Sequence, residues 1–304
     1  MSALDRAHLL ALIEVVSPSL NGASAARLAR QLDERGLSAT FRGETSPSFE
    51  DDDWVPAALR KVTDERVAFW IGELDALSQD GVALVVITDD EYPTNLRLIV
   101  NRPPLVFVRG ALEAVDDRAV AIVGTRGATE EGVKTARQLA GDLATRGITV
   151  ISGLAAGIDT AAHEGALDAN GRTVAVFGTG IRRVYPEANR ALARRIAEQG
   201  ACVSQFLPSQ TGERWTFPVR NIVTSGLSLG TIVVEASSTS GARRQADEAL
   251  RHGKRLYLLD RLVMGQEWAR ALIDQPGVMV VSTVEQLVED LEYELSVPNM
   301  STLV

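Results

Sequence analysis

The sequence predicts an α/β protein: an extended Rossmann-like parallel sheet with helices on both faces, preceded by a small helical N-terminal domain. Three observations predict it. From Arg118 onward, short β-branched runs alternate with amphipathic helical runs, the pattern of repeated βα units with right-handed crossovers. Glycine-rich turns join strand to helix at residues 121–129 (AIVGTRGAT), 150–163 (VISGLAAGIDTAAH) and 174–186 (VAVFGTGIRRVYP). The 304-residue chain has a mean hydropathy of +0.03 and no long apolar run, so it has ample core and no spanning helix.

The elements follow in order. Residues 1–38 carry apolar side chains at helical spacing: Leu9, Leu12, Ile13, Val16, then Ala25, Leu28, Ala29, Leu32. With Asp5, His8 and Glu14 interspersed, this start reads as an amphipathic helix and not as a secretory signal. Residues 39–56 are polar and acidic and read as a mobile loop. A helix is expected over 56–78 and a strand over 82–87. Further strands are expected at 120–123, 149–151, 174–177, 201–204, 231–234, 256–259 and 278–281. Helices are expected at 129–145, 159–169, 186–199, 240–251, 266–274 and 284–294. The division is a helical domain over 1–78, a Rossmann domain over 79–298 and a frayed tail over 299–304.

Composition excludes several classes. One cysteine, Cys202, rules out an internal disulfide framework and fits a reducing cytoplasm. It lies in the apolar run ACVSQF and reads as a buried strand thiol. Three histidines without HExxH or CxxC leave no metal site in prospect, and no GxxxxGK[ST] marks a P-loop. The net charge of −9 is unevenly spread. Acids dominate residues 1–100, whereas arginines dominate residues 171–260. A basic face on an acidic protein can still bind nucleic acid locally.

The three glycine junctions are the candidate site. Strand–glycine–helix turns present backbone N–H groups to anions. In a parallel sheet all three lie beyond the carboxyl ends of the strands, where ligands of such sheets bind. The candidate phosphate ligands are Gly124, Thr125 and Arg126, then Ser152, Gly153 and Gly157, then Gly178, Thr179 and Gly180. Arg126 adds a forked donor, and Arg182 and Arg183 would extend the track. Asp159 reads as a helix cap, and His163, on the same helix face, as a packed histidine. Gly178–Gly180 lacks the third glycine of a dinucleotide fingerprint, because Arg183 holds that place. Phe217, Arg220 and Asn221 (FPVRN) offer an aromatic, a fixed turn and an Arg–Asn pair. Phe217 reads either as a stacking surface or as core. Glu235 ends a strand where a ligand would lie, and Ser240–Gly241 opens a further helix.

Between residues 87 and 273 the motifs form an ordered set: Tyr92–Pro93, Pro103–Pro104, GTR, SGLAAGID, Ala162–His163, YPEAN, FPVRN, VVEA and Ser240–Gly241. This set resembles the DNA-processing protein A family (DprA/Smf). The resemblance implies a Rossmann-like core that binds single-stranded DNA, with Arg126 in its pocket. It also implies a homodimer that loads a RecA-type recombinase during natural transformation, with no cofactor and no catalytic constellation. The chain departs from the family pattern at Gln205, at Ile222, in ARRQADEA after Gly241, and at LLDRL, where Pro-Gly is absent. No C-terminal winged-helix-like domain fits. Two other readings stay open. One is a nucleotide-derivative sensor using the same loops. The other is a phosphoribohydrolase, for which SGLSLGTIVVEA supplies Gly230–Thr231 and Glu235 without the double glycine.

Overall fold

The computed structural model describes residues 2–16, 22–42, 44 and 54–296. The tail over 299–304 and most of the acidic stretch fall outside them.

Four helices lead: α1 (Ala3–Val16), α2 (Gly22–Phe41), α3 (Trp54–Leu59) and α4 (Asp64–Gln79). The helices therefore reach into the expected loop from both sides, since 39–41 close α2 and Trp54 opens α3. The helix expected over 56–78 is two helices. Thr63 interrupts it as the N-cap of α4, its hydroxyl accepting from Arg66 N at 3.3 Å. Helix α1 buries Leu9, Leu10, Leu12 and Ile13, and its Glu14 carboxylate takes hydrogen bonds from Arg66 and Trp70 of α4.

Next come β1 (Val82–Val86), α5 (Thr94–Arg97) and β2 (Leu105–Gly110), then the alternating region. Its elements are β3 (Ala119–Val123), α6 (Glu130–Ala144), β4 (Thr149–Ser152), α7 (Ile158–Asp168), β5 (Thr173–Val176), α8 (Arg190–Gln199), β6 (Ala201–Ser204), α9 (Thr216–Leu227), β7 (Gly230–Val233), α10 (Gly241–Arg251), β8 (Arg255–Leu259), α11 (Asp260–Gly265), α12 (Glu267–Arg270), β9 (Val278–Val281) and α13 (Val284–Ser296).

The nine strands form one sheet in the order β1-β2-β6-β5-β4-β3-β7-β8-β9. Strands β3 to β9 pair in parallel, whereas β2 pairs antiparallel with β6 and β1 antiparallel with β2. The Rossmann-like α/β class is as the sequence predicts. The chain winds outward from β3 through β4, β5 and β6, then returns to β7 on the other side of β3. The strand order reverses there, so a crevice opens between the β3 and β7 ends.

Strand residues divide by parity. Val120, Ile122 and Val150 pack with α6, α7 and α13 on one face. Ala121 and Ile151 pack with α9 on the other, and Val233, Leu256 and Leu258 with α10. This is the period-two alternation of a sheet covered on both sides. The core on the α9 face continues without a break through β1 and β2 into α1, α2 and α4.

Helix α9 is absent from the sequence expectations. Its start reads as a turn because of Pro218. Here Pro218 is the third residue of the helix, where its missing N–H has no helical partner to lose. The run Ile222–Val223–Thr224 then becomes helical because burial overrides its weak propensity.

Candidate nucleic-acid interface

A cleft of about 720 Å³ lies over the ends of β3 and β4, walled by the first turns of α9 and α10. Gly124, Thr125, Arg126, Gly153, Phe217, Arg220, Asn221, Ser240 and Gly241 line it, as the sequence predicts for a common site, and Asp159 reaches it as well. Two glycines there allow close approaches. Gly157 has φ +80°, and a Cβ on it would stand 2.5 Å from Thr125 O, a position open to glycine alone. A Cβ on Gly153 would stand 1.6 Å from Nη1 of Arg220, so this glycine makes room for the guanidinium.

The backbone N–H groups of these loops are largely spent within the protein. The Asp159 carboxylate accepts from Gly153 N at 3.2 Å and Ala155 N at 3.3 Å. Asp159 thus ties back the loop before its helix, whose cap position is Gly157, and its burial raises its pKa against the opposing pull of Arg220. Arg220 donates from Nη1 to Val176 O at 3.0 Å and from Nε to Asn221 Oδ1 at 3.3 Å. Burial lowers its pKa, Asp159 raises it, and nearby Arg126 lowers it.

Side chains supply the charge instead. Arg126, Arg214 and Arg244 line the cleft, and none forms an ion pair among the described residues. Arg126 lies 5.3 Å from the Phe217 ring centroid, within cation–π range. Tyr185 packs on Phe217 with ring centroids 5.6 Å apart and is 54% exposed. The cleft therefore combines unpaired guanidinium groups with an open aromatic wall.

Several predicted ligands lie elsewhere or are already engaged within the protein. Ser152 is fully buried, and its hydroxyl donates to Ile122 O at 2.6 Å, so it braces the sheet. Gly178, Thr179 and Gly180 are buried. Gly180 N donates to Gln210 O, and the Thr179 hydroxyl donates to Arg183 O. The third glycine loop is thus closed by the segment after β6 and is not open to phosphate. Arg182 pairs with Glu73 of α4 at 2.6 Å, and Arg183 donates to Ser209 O. The two line a separate surface with Glu187 and Arg190. The Glu235 carboxylate accepts from Thr129 N and the Thr129 hydroxyl, holding the start of α6. It faces a neighbouring cleft of about 880 Å³, which also carries Glu131, Asp142, Asp260 and Glu285 against Arg261. That larger cleft repels anions. Ser240 caps α10, its hydroxyl accepting from Arg243 N at 3.1 Å.

His163 is fully buried below the site. The Thr173 hydroxyl donates to Val150 O, so it accepts from His163 Nδ1 at 2.7 Å. Burial pushes the His163 pKa down to about 3, with a further lowering from Arg220. Cys202 is buried, with its thiol on Ala193 O and its pKa pushed up to about 12.

The sequence reading missed Tyr185, Arg214, Arg244 and Gln245 as cleft residues. A signal existed for Arg244, four residues after the cap Ser240 on an expected helix and so within its first turns.

These features define a Rossmann-like protein with an arginine-lined cleft at its topological switch point. The chain belongs to the DNA recombination-mediator protein A family, whose model matches residues 83–292. Protein Smf of Escherichia coli is 37% identical over 222 residues, covering 72% of this chain and 59% of that protein. DNA processing protein DprA of Bacillus subtilis is 30% identical over 220 residues, covering 72% of this chain and 74% of that protein. The X-ray structure of DNA processing protein A from Streptococcus pneumoniae superposes with a TM-score of 0.67 at 27% identity, covering 89% of this chain and 98% of that one. The Helicobacter pylori DNA processing protein A, a structure concerned with its single-stranded DNA binding mode, shares the fold with a TM-score of 0.62 at 23% identity, covering 70% of this chain and 96% of that one.

Proposed function

We propose that this chain is a non-enzymatic single-stranded DNA-binding protein of DNA processing and recombination. The observation that carries the reading is the convergence of Arg126, Arg214 and Arg244, free of ion pairs among the described residues, beside the Tyr185–Phe217 wall in one cleft. Guanidinium groups hold phosphates bidentately, and bases of a single strand stack on aromatic rings without regard to sequence. Arg220, Asn221 and Gly241 complete the strand's path. The Rossmann domain over 79–298 carries this binding, and the helices of 1–78 buttress it. Family membership supports two further parts of the proposal: a RecA-type recombinase as partner in the handling of incoming DNA, and a homodimer as the working assembly. The setting is cytoplasmic. No helix among the described residues is long and apolar enough to cross a membrane.

Fluorescence anisotropy of a labelled single strand and of the matching duplex, at several salt concentrations, tests the proposal. The expected result is single-strand binding that weakens steeply with salt as counterions are released and that Arg126→Ala weakens further. Absence of binding at low salt overturns it, and the cleft would then be screened with nucleotides.

A further inference from the structure

Gln245 stands apart from every other buried polar residue described. Among the described residues it is the one side chain with two buried polar atoms, Oε1 and Nε2, that have no hydrogen-bond partner. The residue is 2% exposed, and it forms part of the cleft wall with Arg244, Asn221 and Thr224. An unpaired buried amide forfeits the hydrogen bonds water gives it in the unfolded chain, whereas an apolar side chain of similar volume forfeits nothing. The other buried residues of α10 are Ala242, Ala246 and Ala249, with no polar side-chain group, and Glu248, whose carboxylate accepts from Asn101 and Arg251.

We infer that Gln245 reads the edge of a nucleobase held in the cleft. The inference rests on the single-stranded DNA reading above. A primary amide carries one acceptor and donor groups side by side. That pattern matches a base edge, as in a glutamine on N6 and N7 of adenine. A phosphate takes donors alone and would leave Oε1 unpaired. Bases of a single strand expose their pairing edges to protein groups, so this contact separates a base-bearing strand from bare backbone. The amide is closed to water in the free protein. Engagement therefore turns it into the cleft, where the base supplies both missing partners. Arg244, one residue earlier and exposed, serves the adjoining phosphate.

The test uses the full chain and two labelled oligonucleotides of equal length, one intact and one with consecutive abasic tetrahydrofuran units at its centre. Anisotropy is measured for wild type, Gln245→Leu and Gln245→Met, with thermal unfolding of each. The wild type should prefer the intact strand, and both variants should cut that preference by about tenfold with affinity for the abasic strand unchanged. Their unfolding temperatures should hold or rise, since a buried unpaired amide is gone. Unchanged preference in the variants overturns the inference and leaves the DNA reading standing. An equal loss on both strands with a lowered unfolding temperature also overturns it, marking Gln245 as structural. If the wild type binds neither strand at low salt, the DNA reading itself fails, and that failure appears before any substitution is made.

Discussion

Arg220 lies across Gly153 so closely that a single Cβ on the glycine would stand 1.6 Å from Nη1. The glycine of the β4 loop thus sets the position of an arginine on α9, which is remote in sequence. Gly153 is outside the positive-φ glycines, so alanine fits the backbone there. Gly153→Ala should therefore fold and displace the guanidinium from Val176 O and the cleft. Single-strand affinity should fall about tenfold, the worth of a lost charged hydrogen bond. Binding equal to wild type would show that Arg220 takes no part.

Gly157→Ala is a different case. Its backbone has φ +80° and ψ −122°, and the added Cβ meets Thr125 O and Arg126 O, which are backbone atoms that cannot step aside. Urea unfolding should report a loss of about 2–4 kcal/mol. A loss no larger than that of Gly153→Ala would contradict this account of the loop.

The salt dependence of binding separates cleft arginines from paired ones. Arg126→Ala, Arg214→Ala and Arg244→Ala should each reduce the slope of log affinity against log salt by about one. Arg182→Ala should leave the slope unchanged, because Arg182 is paired with Glu73 on another surface. Its stability cost should stay within about 1 kcal/mol, as for an ion pair still open to solvent. A slope change at Arg182 would return that surface to the DNA path.

His163 gives stability a pH dependence with a definite sign. Its folded pKa is depressed to about 3 from 6.5, so between those values the unfolded chain binds the proton and the folded chain does not. Its neutral form contributes fully above pH 6.5. The contribution falls as pH drops toward 3, by about 1.4 kcal/mol per pH unit. His163→Gln removes the titration, so the gap between wild type and variant in urea unfolding should narrow from about pH 7.5 to about pH 5.5. A gap independent of pH would contradict the buried neutral state.

The elements legible in the sequence are those whose cause is local. The parallel strands from β3 onward and most of their helices follow from alternation and helical spacing. Helix α9 escaped because Pro218 and the β-branched run after it argue locally against a helix, and only burial between β3, β5 and α10 reverses that. The site was half legible. The loops of Gly124 and Gly153 do meet in one cleft, but their N–H groups were expected to face a phosphate, and Asp159 takes those of Gly153 and Ala155 instead. Glu235 and Ser240 turned out to hold helix starts, which a carboxylate or hydroxyl does as readily as it binds a ligand.

What the sequence by itself determined is the βα order and the placing of glycine turns at the carboxyl ends of strands. Both depend on side-chain period and backbone freedom within a few residues. What only the tertiary structure decided is which charges and polar atoms remain unspent. Arg182 meets a carboxylate 109 residues away, whereas Arg126, Arg214 and Arg244 meet none among the described residues. A guanidinium looks the same in sequence whether paired or free. Its availability to a phosphate depends on partners that folding brings within a few ångströms, and the strength of those pairings is set by distance and burial.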